Sequence, residues 1–275
     1  MARPQSGGDP GRLRRRGWTR DARACGRRVA PAGTHARTAR EDAYEQALLA
    51  LSARIDPIAH DPWPNHWSAS GASYGVTLDA YRAIGGLPYP ASGEDRALAD
   101  MLLRHDIPIR HDPDIVVVTS ARLDGRACGG VADTIRMRCE DPEAPGDEKL
   151  EPLPNALRRY LWRRRLRQWH AAGSLQPRSG LQGPSWQIPL GLPPSWRWCA
   201  EAAGFGALWA QVEAASPRLA RTPLRPGHMP LHTAAARAPL AVLGWPGIKA
   251  TPTHPADRRA CAAAGSDEQI ALAPS

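Results

Sequence analysis

Proline occurs 28 times in this 275-residue chain, and 14 of those prolines lie from Ser174 onward. Proline lacks an amide hydrogen and clashes with the turn before it, so each one ends or edges a regular element. With 25 glycines added, one continuous fold is disfavoured, and residues 174–275 are expected to form a mostly irregular extension. One exception is a helix near 198–212, where Trp198, Ala202, Phe205, Trp209 and Val212 repeat at 4-3-4-3 spacing, the stripe of a docking face.

The formal charge of +9 is carried entirely by residues 1–40, which hold 11 arginines against Asp9 and Asp21. This segment has almost no apolar periodicity and is expected to be a disordered basic tail. The remainder of the chain is neutral overall, so a nucleic-acid partner is not expected. Five scattered cysteines, Cys25, Cys128, Cys139, Cys199 and Cys261, form no C-x-x-C pair, which speaks against a disulfide framework or a zinc site. No apolar run approaches the length of a membrane span, and no secretory signal precedes the body. The expected location is the cytoplasm.

Regular structure is expected over residues 41–140. Tyr44, Leu48, Leu51 and Ile55 make one helical stripe that Asp56-Pro57 terminates. His60 to Trp67 reads as an extended loop and Ser73 to Val76 as a short strand. Thr77 caps a helix from Leu78 to Ile84, which Gly85-Gly86 stops. A helix from Glu94 to His105 turns Leu98, Met101 and Leu102 inward. Ile107–Arg110 and Ile115–Thr119 read as strands, the second (IVVV) buried on both faces, and Val131–Cys139 as a helix with Val131 and Ile135 on one side. Residues 141–173 comprise an acidic linker and an Arg-rich amphipathic helix, Asn155 to His170. Strands alternating with helices give an α/β layer.

The segment from Asp56 to Arg138 contains, in order, GAS, AYRAIGG, GEDRALADML and TSARLDGRACGG. In order and spacing it resembles the second, acceptor-side half of the glycosyltransferase family 2 catalytic domain, of the GT-A type. The resemblance implies a partial GT-A (Rossmann-like) layer that lacks the nucleotide-binding half. It implies a nucleotide-sugar donor, a hydroxyl acceptor (a glycan or a lipid-linked sugar), and a divalent cation, Mn or Mg, whose ligands are not identified in this chain. It carries the family's acidic pair onto Glu94 and Asp95, with Asp95 as the base that takes a proton from the acceptor hydroxyl. It carries the loop near the donor diphosphate onto Thr119, Ser120, Arg122 and Arg126, whose guanidinium groups suit phosphate oxygens. Trp63 and Trp67 are the candidates for stacking on an acceptor sugar.

Other readings of the same residues stand beside these. Ser92-Gly93-Glu94-Asp95 is also a capping-box-like sequence. His60, Asp61 and His66 lie on a path fixed by Pro62 and Pro64 and are not expected to converge on a metal. The one Asp-x-Asp match, Asp112-Pro113-Asp114, reads as a turn. The family's nucleotide-binding half, with its metal-holding Asp-x-Asp, is not found, so the expectation is a truncated reading frame or a degenerate remnant, of doubtful activity alone. The alternative is a non-catalytic basic peripheral protein for anionic lipid or nucleic acid, using the Arg158–Arg167 helix at a membrane surface.

Overall fold

The computed structural model describes residues 32–69, 71–90, 92–115, 117, 123, 129–175, 186–198 and 204–245. Among these residues the regular elements are helices: α1 (Ala32–Ile55), α2 (Leu78–Ala83), α3 (Glu94–Arg104), α4 (Val131–Glu140), α5 (Leu153–Ala171), α6 (Phe205–Ala215) and α7 (Met229–Val242). Four single turns of 3-10 helix complete them, and among the described residues there is no β-strand. The expected α/β layer is therefore corrected to a helical assembly.

The correction has a physical basis in the expected strands themselves. A strand is stable only when its amides and carbonyls find a neighbouring strand. The GAS segment forms a 3-10 turn, Gly71–Ser73, instead of leading into a strand. At Ile107 the backbone amide turns back to the Leu102 carbonyl at 2.9 Å, which finishes α3. Pro108, which follows, has no amide hydrogen to offer a ladder. Ile115 donates to the Asp112 carbonyl at 3.1 Å and is 51% exposed, unlike a residue covered on both faces. Val116, Val118 and Thr119 of that run lie outside the described residues.

α1 is the central strut. It buries Tyr44, Ala47, Leu48, Ala50 and Leu51 and packs against α5 and α7. The helix begins at Ala32, within the segment expected as a solvated tail. Arg37 explains part of this: its guanidinium donates to Glu41 Oε1 at 3.0 Å and to the carbonyls of Asp141, Pro142 and Ala144 at 3.1, 3.0 and 2.7 Å. Charge pattern alone made Arg37 look solvated, yet it is 2% exposed. At the far end Asp56 closes α1 with an amide bond to the Ser52 carbonyl at 2.7 Å.

A second core gathers Leu166 of α5, Leu175, Trp186, Leu190, Leu192 and Leu219 with Phe205, Leu208 and Val212 of α6. Trp162, Trp169, Trp196, Trp198 and Trp209 pack around it, so with Trp186 six of the chain's ten tryptophans serve this one cluster. The α6 stripe is realised from Phe205 onward. Trp198 is not helical and stands edge-on to His170, with ring centroids 6.4 Å apart. The helix α7, inside the proline-rich extension, was not anticipated.

The third cluster lies where the motifs are. Ile84, Leu98 and Leu102 are its buried members, flanked by Tyr74, Leu87, Met101, Ile107 and Ile109. A buried aliphatic side chain stabilises by about 1.5–3 kcal/mol, and this cluster buries three among the described residues. α4 buries Ala132 and Arg138, while Val131, expected on one side with Ile135, is 62% exposed.

Candidate functional site

α2 and α3 follow from their ends. Thr77 caps α2 by accepting the Ala80 amide at 3.2 Å. Gly85 and Gly86, at φ 79° and 98°, supply the left-handed stop that a side chain would oppose. α3 opens on Gly93 in a left-handed conformation, with no side-chain cap. The capping-box reading is thus not realised. Glu94 and Asp95 occupy the first turn of α3, where the helix dipole favours negative charge.

Around this helix end the structure assembles three sequence-distant motif segments. The Gly71 amide of the GAS segment donates to Asp95 Oδ2 at 3.0 Å, and the Arg96 amide donates to Asp95 Oδ1 at 2.8 Å. Ser92 faces the glycine turn after the third motif, since a Cβ on Gly129 would lie 3.5 Å from Ser92 Oγ. That turn is fixed by the Gly129 amide on Asp133 Oδ2 at 2.7 Å, and Arg136 ties α4 back to the Leu123 carbonyl at 2.5 Å. Each Asp95 oxygen takes one of these amide bonds, and a carboxylate oxygen has two lone pairs. Acceptor capacity is left on both oxygens.

Tyr74 directly follows the GAS segment and was not singled out from sequence. Its hydroxyl is buried and has no hydrogen-bond partner, and burial, then the charges of Asp95 and Asp100, push the phenol above its usual value. Buried polar groups are normally satisfied, and this hydroxyl, in the field of Asp95, is not. Glu94 is exposed. Thr119, Ser120, Arg122 and Arg126 lie outside the described residues.

Trp63 and Trp67 belong to another set of contacts. Both are partly buried, and their loop is held to α1 by the Trp67 amide on Glu45 Oε1 at 3.2 Å and to residues 110–111 through Asp61. An open depression of about 380 Å³ beside α2 is lined by Tyr81, Arg82, Gly85, Gly86, Leu87 and Tyr89; Asp95 is not part of it.

Among the described residues no group of three or more His, Cys, Asp and Glu is arranged to hold a metal ion. Asp112-Pro113-Asp114 forms a turn in which Asp112 Oδ1 accepts the Asp114 amide at 2.9 Å.

Of the six arginines of α5, Arg159, Arg163 and Arg167 meet acids within the chain, while Arg158, Arg164 and Arg165 are exposed. Arg159 is buried between Glu151, at 2.7 Å, and Glu213. Arg163 and Arg167 converge on Asp56 at 2.5 and 3.1 Å. Arg158 and Arg164 donate to the carbonyls of Arg218 and Ile55 at 3.2 and 3.0 Å. Arg165 lies over Trp162 and Trp169, 5.4 and 5.7 Å from the ring centroids. Each of the six arginines has an intramolecular partner. Among the described residues no helix is long and apolar enough to cross a membrane.

No family model matches this chain, and no curated protein or solved structure matches it.

Proposed function

We propose that this chain supplies the acceptor side of a sugar transferase similar to glycosyltransferase family 2, moving a sugar from a nucleotide-sugar to a hydroxyl. The observation that carries the reading is the meeting of the GAS, GED and CGG segments at the start of α3, with the Gly71 amide on Asp95 Oδ2 at 3.0 Å and Ser92 against Gly129. The resemblance rests on these same segments, and contact between them is what a shared site requires.

In this reading the acceptor hydroxyl enters beside Tyr74 and gives its proton to Asp95. The hydroxyl oxygen forms a bond to the anomeric carbon as the bond from that carbon to the diphosphate oxygen breaks. The nucleoside diphosphate leaves with the bonding electrons. Asp95 is held by two backbone amides, so its carboxylate needs no reorganisation to meet the hydroxyl. The chemistry assigned here uses only the chain's own groups.

The test is product formation by the full chain, using UDP- and GDP-sugars with simple glycan acceptors in the presence of Mn²⁺ or Mg²⁺. Released nucleoside diphosphate and extended acceptor should appear together. Glu94→Gln should leave turnover within a few-fold, because Glu94 is exposed and outside the amide clasp. Absence of transfer by the wild-type chain across that donor set ends the reading.

A further inference from the structure

The loop that carries Trp63 and Trp67 is closed by a cluster of titratable groups the reaction does not use. Asp61 is its hub. Oδ1 accepts Arg110 Nη1 at 3.1 Å and the His111 amide at 2.9 Å. Oδ2 meets His111 Nδ1 at 2.9 Å and Asn65 Nδ2 at 3.1 Å. Arg110 also donates to the carbonyls of Pro62 and Pro64, at 2.8 and 3.2 Å, on either side of Trp63. His66 stands edge-on to His111, with ring centroids 5.4 Å apart, and its Nδ1 accepts the Ser68 amide at 3.1 Å.

We infer that residues 61–67 are an acid-released strap, fastened over residues 110–112 at neutral pH and undone when His66 takes up a proton. The inference holds independently of the sugar-transfer reading. A neutral imidazole has one acceptor nitrogen, and in His66 that nitrogen is already committed to the Ser68 amide. Protonation there sets two N–H groups against each other. It also places a new cation against His111 and Arg110, opposed by Asp61 and the Asp112 backbone.

Burial, then the neighbouring His111, holds His66 below the usual imidazole value; Arg110 adds to this, while Asp61 and the Asp112 backbone oppose it. A depressed histidine contributes stability above its unfolded value and loses it as pH falls through the folded value. At Asp61 burial disfavours the charge, but His111 and Arg110 outweigh it and hold the carboxyl below the usual range. The hub therefore stays anionic while His66 titrates. Glu45, at the Trp67 end, works in the other sense. Burial pushes it up to about 7, with Asp42 and Asp147 adding and the Trp67 amide and Lys149 opposing, so a proton there relieves a buried charge. The strap opens from its Asp61–His66 end and hinges near Trp67.

Residue-resolved amide hydrogen exchange on the full chain at about pH 7.5 and about pH 5, corrected for intrinsic rates, tests this. The Ser68 and His111 amides should lose about tenfold in protection for each pH unit below the His66 titration, while the Trp67 amide keeps its protection. His66→Gln, which accepts the Ser68 amide but cannot be charged, should stay protected at both values. Asp61→Asn should be open at both. Equal wild-type protection at the two pH values, or acid loss in His66→Gln matching wild type, overturns the strap. If His66→Gln fails a far-ultraviolet circular dichroism check, the wild-type His66 titration followed by imidazole NMR decides. An opening midpoint that tracks it supports the strap, and one that departs from it overturns it.

Discussion

Gly206 shows at single-residue scale how closely α3 and α6 meet: a Cβ there would lie 1.8 Å from the Leu103 carbonyl oxygen. That oxygen is backbone and cannot swing aside, so Gly206→Ala should cost about 3 kcal/mol or more, read as a shift in the denaturant midpoint. Gly75 is the control, since a Cβ there meets nothing within 4 Å, and Gly75→Ala should change stability little. Tyr74→Phe removes a buried hydroxyl with no partner and should stabilise the chain by about 1 kcal/mol. Destabilisation would mean the hydroxyl is bonded after all. Glu45 gives a pH signature of its own. Its folded value is raised from 4.5 to about 7, so the stability it contributes is full below the unfolded value and is lost as pH rises through about 7. Glu45→Gln should flatten that decline in a thermal-melt series across neutral pH.

The helices were legible where local chemistry decides them, and the strands were not, because a strand depends on a partner that periodicity cannot show. Thr77, Gly85 and Gly86 mark the ends of α2 through capping and left-handed backbone. Leu98 and Leu102 mark the inner face of α3. The apolar runs at Ile107 and Ile115 satisfy their amides in turns, an outcome that apolar composition alone does not distinguish from a sheet. α7 carried a usable signal: Pro230 near its start suits an N-terminus, and Met229, Thr233, Ala236 and Leu240 are its buried residues, at the same 4-3-4 spacing that marked α6. The density of proline around it hid the pattern. Of the site, Asp95 and the order of its motifs were readable, whereas Tyr74 was not, since an orphaned hydroxyl appears only in three dimensions. Between elements, Asp56 joins the end of α1 to α5. Burial disfavours its charge, but Arg163 and Arg167 prevail and hold it below the usual carboxylate value. Its contribution is present above the unfolded value of 3.8 and is lost as pH falls through the lowered one. Asp56→Asn leaves two partly covered arginines without their acid and should cost about 2–4 kcal/mol, with the deficit to wild type shrinking in acid melts.

At the scale of the whole molecule, the basic helix serves internal cohesion. Six arginines on α5 meet Asp56, Glu151, Glu213, three carbonyls and two indoles within the chain. If those partners hold in solution, replacing Arg164 and Arg165 by Gln should leave association with anionic vesicles unchanged in a sedimentation series; loss of binding would show that α5 offers its cations to a surface. The proposed transfer turns on Asp95, a carboxylate at which the GAS and GED segments meet. Its most direct test is the turnover number of Asp95→Asn in the sugar-transfer assay, beside wild type of matched thermal stability. A fall of about 10²–10⁴-fold in kcat with KM little changed is the predicted result; a kcat equal to that of wild type would contradict the account.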